Sequence, residues 1–94
     1  MAISETYPAV ARLVKLYCHG NDYDLDALRK QVSKEKWLSL NPSFKDDFHK
    51  VISERMFDPD EYFRLTRVDY ETAEEVAVQL QAIFDFVYND GPHP

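Results

Sequence analysis

The sequence predicts an all-α fold, a compact bundle of four or five short helices. Helix start and stop signals recur from one end to the other, apolar residues return at spacings of three and four, and the alternation expected of strands is nearly absent. With 94 residues, 45% hydrophobic and 14% aromatic, the chain has material for one core and no more. Residues 1–94 therefore read as a single helical domain.

Thr6, Tyr7 and Pro8 look like a cap followed by a first-turn proline, so the first helix should begin there and run to about Cys18, ahead of Gly20 and Asn21. Successive residues turn through 100°, which places Ala9, Leu13, Leu16 and Tyr17 on one side and Arg12, Lys15 and His19 on the other. Asp24 can cap a second helix carrying Leu25, Leu28 and Val32. Trp37 falls out of phase with that stripe, which predicts a break or short extra turn before Asn41 and Pro42, with Trp37 plugging a gap in the core.

Asn41 or Ser43 starts a third helix, with Phe44, Phe48, Val51 and Ile52 on one face and Asp46, Asp47, Lys50 and Glu54 pointing outward. Asp58, Pro59 and Glu61 provide a cap, a proline and a third-position acid for a fourth helix bearing Tyr62, Phe63 and Leu65. Thr72 and Glu75 form a capping box for the longest helix, which ends near Tyr88 before Asn89, Gly91 and Pro92. That helix carries a main stripe of Val76, Leu80, Ile83, Phe84 and Val87. Val78, Ala82 and Phe86 make a second apolar arc, so the helix is sandwiched between neighbours or keeps a patch for a partner.

The formal net charge is -6. It speaks against nucleic acid and anionic membranes as direct ligands and suits a basic protein partner. One cysteine, Cys18, excludes an internal disulfide and fits a reducing compartment. No long apolar run or basic-flanked leader is visible, and a cytoplasmic location is expected.

The constellations that carry chemistry are incomplete. Asp22, Asp24 and Asp26 alternate as in the opening of a calcium loop, but the glycine and glutamate that such a loop needs are replaced by Ala27 and Ser33. His19, His49 and His93 lack metal-ligand spacing, and Cys18 and His19, as helix neighbours, would not face each other. Gly20 and Gly91 are the only glycines, too few for a phosphate cradle. The acid pairs Asp46–Asp47 and Glu74–Glu75 read as charges offsetting helix dipoles rather than as a hydrolase pair. No cofactor, metal or catalytic residue is expected.

Acids gather in three connecting regions, Asp22 to Asp26, Asp58 to Glu61 and Asp69 to Glu75, with Tyr23, Tyr62 and Tyr70 among them. If the bundle brings the corresponding helix starts together, their charges add into one face, and tyrosine supplies anchoring area with a polar tip.

Two segments resemble a known family. YPAVARLVKLYCHGNDYDLD, residues 7–26, looks like the opening of small immunity proteins from bacterial contact-dependent growth inhibition systems. There an aromatic residue and proline begin a helix that ends in a tyrosine, histidine and aspartate cluster, matched here by Tyr7, Pro8, Tyr17, His19 and Asp22. FDPDEYFRLTRVDYETAEEV, residues 57–76, resembles the second half of such proteins. Cys18 stands where the family usually has an aromatic, and Gly20 and Asn21 loosen the spacing to Asp22.

The resemblance implies a helical, cytoplasmic, non-enzymatic protein that binds and blocks the C-terminal domain of a cognate toxin. A nuclease is the expected toxin, because its positive surface suits an acidic cover. The expected contacts are Asp22, Tyr23, Asp24, Asp26, Asp58, Asp60, Tyr70, Glu71, Glu74 and Glu75. The alternative is a small acidic regulatory or adaptor domain that binds another host protein. Oligomeric state stays open.

Overall fold

The computed structural model describes residues 2–20 and 22–94, apart from the side chain of Asp22. Helix dominates, as the sequence predicts, in the order α1 (Ile3–Thr6), α2 (Pro8–Tyr17), α3 (Leu25–Ser33), α4 (Glu35–Leu40), α5 (Phe44–Ser53), α6 (Pro59–Thr66) and α7 (Ala73–Tyr88). Between α2 and α3 stands a small antiparallel hairpin, β1 (Cys18–His19) with β2 (Asp22–Tyr23), pairing Cys18 with Tyr23 and His19 with Asp22. The segments outnumber the four or five expected because α1 and α4 are each a separate short helix. The radius of gyration, 12.2 Å, matches the roughly 12 Å expected of one domain of this length.

Local signals set most helix starts. The Asp24 carboxylate accepts from the Ala27 N–H at 3.0 Å, that of Asp58 from the Asp60 N–H at 3.1 Å, and the Thr72 hydroxyl from the Glu75 N–H at 3.2 Å. Each satisfies a donor that the first helical turn leaves without an internal partner. Two starts differ from expectation. Tyr7 is the N-cap of α2 and makes no side-chain cap, while Thr6 ends α1. Ser43 precedes α5, but its hydroxyl donates to Asp47 Oδ2 at 3.0 Å instead of capping the backbone.

The core is built around α7, which packs against α3, α5 and α6. Val76, Leu80 and Ile83 are at most 1% exposed. On one side Phe48 meets Phe84 at 5.6 Å between ring centroids, and Phe44 continues the stack to Trp37 at 4.9 Å. Trp37 is half-buried, so it closes the edge of the core rather than filling its interior. The second arc of α7 is mostly covered as well. Phe86 is buried under the Arg29 guanidinium, 4.5 Å from the ring centroid, and against the His93 ring at 5.0 Å. Val78 alone on that arc remains open, at 64% exposure. His93 thus packs against α7 by folding back.

The stripe of α2 is rotated from the expected one. Val10, Leu13 and Val14 are buried with Ala11, whereas Leu16 is 51% exposed. The spacing of Val10, Leu13, Val14 and Tyr17 is itself helical, so the sequence held two possible stripes and the neighbours chose between them.

Glu61 was expected to be an acid in the first turn of α6. Its carboxylate instead turns inward, buried, and accepts from the Ile3 N–H at 3.0 Å. Ala2, the N-cap of α1, has no side-chain acceptor, so Glu61 supplies from 58 residues away what a local cap would have given. Replacing it strands a buried donor, which costs about 1–3 kcal/mol. Urea titration of Glu61→Ala is expected to lower the unfolding free energy by about that amount. Glu61→Gln, which keeps an acceptor oxygen, should recover most of the loss. Equal midpoints for Glu61→Ala and the parent chain would show the bond to be dispensable.

Candidate functional site

The hairpin ties α2 and α6 to α7. The Gly20 N–H donates to the Thr66 carbonyl at 2.7 Å, where α6 ends, and the Asp24 N–H donates to the Tyr17 carbonyl at 3.0 Å. Thr66 is fully buried and bridges the end of α6, its hydroxyl donating to the Tyr62 carbonyl at 2.8 Å and accepting from the Val68 N–H at 3.1 Å. The hairpin thereby sets Tyr23 over α7, where its phenol oxygen accepts from Gln79 Nε2 at 3.1 Å.

Tyr62 joins this surface to the core. Its ring is 1% exposed and lies 5.5 Å from Phe57 on one side and 5.8 Å from Tyr70 on the other. Tyr70 in turn lines a shallow groove of about 270 Å³ with Glu74, Glu75, Val78 and Gln79. Tyr23, Tyr70, Glu74 and Glu75, from two of the three acidic stretches, therefore share one surface with the exposed Val78. Glu71 is exposed one residue beyond Tyr70.

The other predicted contacts are placed differently. Asp24 is used as the α3 cap, and Asp26 pairs with Arg29 at 3.5 Å. Asp58 caps α6, and Asp60 is exposed in its first turn. That end of α6 is opposite the end that holds the hairpin, about 12 Å along an eight-residue helix. Asp22 belongs to β2, and its side chain lies outside the described residues.

Arg55 was not anticipated. Its guanidinium holds both Glu74 carboxylate oxygens, Nε to Oε2 and the terminal nitrogen to Oε1 at 3.2 Å. The hydrogen bond and charge of Arg55 hold the Glu74 carboxyl below the usual glutamate range. Glu75 is engaged in the Thr72 capping box, with its carboxylate 3.4 Å from the Thr72 hydroxyl. No spacing rule links positions 55 and 74, so sequence could not reveal the pair. Gln79, one turn after Glu75, was likewise invisible as the partner of Tyr23.

The chemistry of the cluster follows from burial. Cys18 is 1% exposed, and desolvation pushes its thiol up to about 12, so a thiolate nucleophile is not formed near neutral pH. Burial also raises Tyr23, Tyr62 and Tyr70, with the neighbouring Cys18 adding to each. These phenols stay protonated and keep their capacity to donate a hydrogen bond. His49 sits beside Phe84 at 5.7 Å and His93 beside Phe86. Among the described residues no three His, Cys, Asp or Glu side chains converge as a metal site, and no helix is long and apolar enough to cross a membrane.

Two outcomes are expected in solution. Cys18 and the raised tyrosines favour their protonated forms in the folded state, so their contribution is intact below the unfolded pKa, 9.0 for the thiol, and is lost as pH climbs toward the folded value of about 12. Iodoacetamide labelling should accordingly be slow at pH 8 and become fast in urea. Rapid labelling of the folded chain would place the thiol at the surface. Glu74 has the opposite sign: its lowered pKa stabilises above the ordinary glutamate range, and the effect vanishes as pH falls through the folded value. The stability gap between the parent and Arg55→Ala should therefore close on acidification, as read by thermal melts at successive pH values. No known protein family, curated protein or solved structure matches this chain.

Proposed function

We propose that the chain is an immunity protein that neutralises a toxin domain by stoichiometric occlusion, using the face around Tyr23, Tyr70, Glu71 and Glu75. The observation that carries the reading is the meeting of two tyrosines, acidic side chains and an exposed valine on one surface held by the core. Aromatic area with a polar tip gives a partner something to grip, and carboxylates around it steer a positively charged surface into place. The two segments that resemble contact-dependent inhibition immunity proteins also pack together, through α2 on α6 and through Gly20 on Thr66.

A basic nuclease domain is the partner of choice. Such a toxin binds phosphates with Lys and Arg, so an acidic face competes for the same charges. Protection inside a cell requires affinity on the order of nanomolar, near -12 kcal/mol. Asp24, Asp26 and Asp58 contribute charge from existing caps and pairs, as Glu75 does from its capping box, whereas Glu71 is exposed beside Tyr70 and better placed to meet a new cation.

Co-expression with the toxin domain encoded next to the gene, followed by co-purification and a growth-protection assay, tests the reading directly. Glu71→Lys with Glu75→Lys should slow association at least about tenfold at low salt while leaving the helical circular dichroism intact. Val78→Asp should accelerate dissociation. Unchanged rates in both variants would remove this face from the interface, and purified chain that neither binds nor protects would refute the proposal itself.

A further inference from the structure

A second surface, with chemistry opposite to the first, lies beyond the C-terminal end of α3. Residues 29–36 carry four cations, Arg29, Lys30, Lys34 and Lys36, against the single carboxylate of Glu35, in a chain whose net charge is -6. Arg29 spends its charge on Asp26 and the Phe86 ring. Among the described residues Lys30, Lys34 and Lys36 enter no ion pair, and all three are exposed.

Beside these lysines stands an apolar centre. α4 buries no residue at all, leaving Leu40 73% and Leu38 45% exposed. Gln31, Lys34, Lys36, Trp37 and Leu40 line a groove of about 240 Å³. Trp37, half-buried, is fixed edge-on against Phe44, while its carbonyl accepts from the Asn41 side chain at 3.1 Å. The volume suits one apolar side chain and is below the range of pockets that hold cofactors.

We infer that this groove binds an acidic peptide segment, seating one aliphatic side chain between Trp37 and Leu40 while flanking carboxylates meet Lys34 and Lys36. Charge complementarity selects this occupant. A second copy would bring another net charge of -6 against the first, whereas a short acidic segment brings few charges and meets them locally with lysines within a Debye length. An anionic bilayer is disfavoured by the same net charge, and three unpaired lysines fall short of the four to eight cations that hold a protein on such a surface. The surface is separate from the face around Tyr23. α3 stands between them, about 14 Å long for its nine residues.

Trp37 is the only tryptophan of the chain, so its fluorescence reports the groove directly. The ligand for the test is a synthetic peptide with glutamates on both sides of one leucine, titrated into the full chain. A saturable blue shift of Trp37 emission is expected. A peptide with serine in place of the leucine should bind at least about tenfold more weakly. Leu40→Asp and the double variant Lys34→Glu with Lys36→Glu change exposed side chains, so circular dichroism should stay at the parent signal while affinity falls at least about tenfold. Absence of a saturable shift, or equal binding of the serine peptide, overturns the inference. So does a shift produced by phosphatidylserine vesicles but not by peptide, or an emission change with protein concentration alone accompanied by dimers in sedimentation velocity.

Discussion

Burial of α7 on more than one side is the constraint from which the rest of the structure follows. A sixteen-residue helix with apolar residues on two arcs cannot stay in water at a tolerable cost, since each large side chain removed from solvent contributes roughly 1.5–3 kcal/mol. Val76, Leu80, Ile83, Phe84 and Phe86 are all buried, and covering them takes α3, α5 and α6 together. The ends of α7 are matched to its dipole by different means. Glu74 and Glu75 lie in the first turn, whereas the last turn has no basic residue of its own. Arg29 from α3 and Lys45 from α5 lie over the rings of Phe86 and Tyr88 instead, bringing positive charge to the carbonyl end.

That arrangement also fixes the surface proposed to meet a partner. Tyr23 is held by backbone pairing in the hairpin and by Gln79, and Tyr70 by the buried ring of Tyr62. Side chains already fixed in place lose less entropy when a partner arrives, so preorganisation contributes to affinity without extra area. Acidic residues are less equivalent than their number suggests. Several complete helix caps or pair with arginine, and their charge reaches a partner only as part of those local bonds.

Charge is divided along the fold rather than spread evenly. The acidic excess gathers around the starts of α6 and α7, while Lys30, Lys34 and Lys36 cluster at the end of α3 and the beginning of α4. Net charge therefore describes long-range attraction, and the local patches decide what can be held at contact. The two surfaces also differ in build. One rests on buried aromatic rings, and the other uses a helix that hides none of its residues and depends on Trp37 for its attachment to the core.

Features that depend on neighbours within four residues were legible in the sequence. The caps at Asp24, Asp58 and Thr72 and the face of Phe44, Phe48, Val51 and Ile52 lie where spacing placed them, because a helix brings such positions together whatever surrounds it. The rotation of α2 was not legible, since apolar residues occupy most of its circumference and only packing could leave Leu16 outside. Glu61 reaching Ile3, Arg55 holding Glu74, Gln79 meeting Tyr23 and His93 covering Phe86 needed the tertiary structure. Each joins groups from separate parts of the chain, or from a helix and the segment that folds back on it. By itself the sequence determined a helical chain, its principal stops and starts, and its acidic balance; only the folded chain decided which tyrosines and carboxylates share a surface, because that depends on how the helices stack around α7.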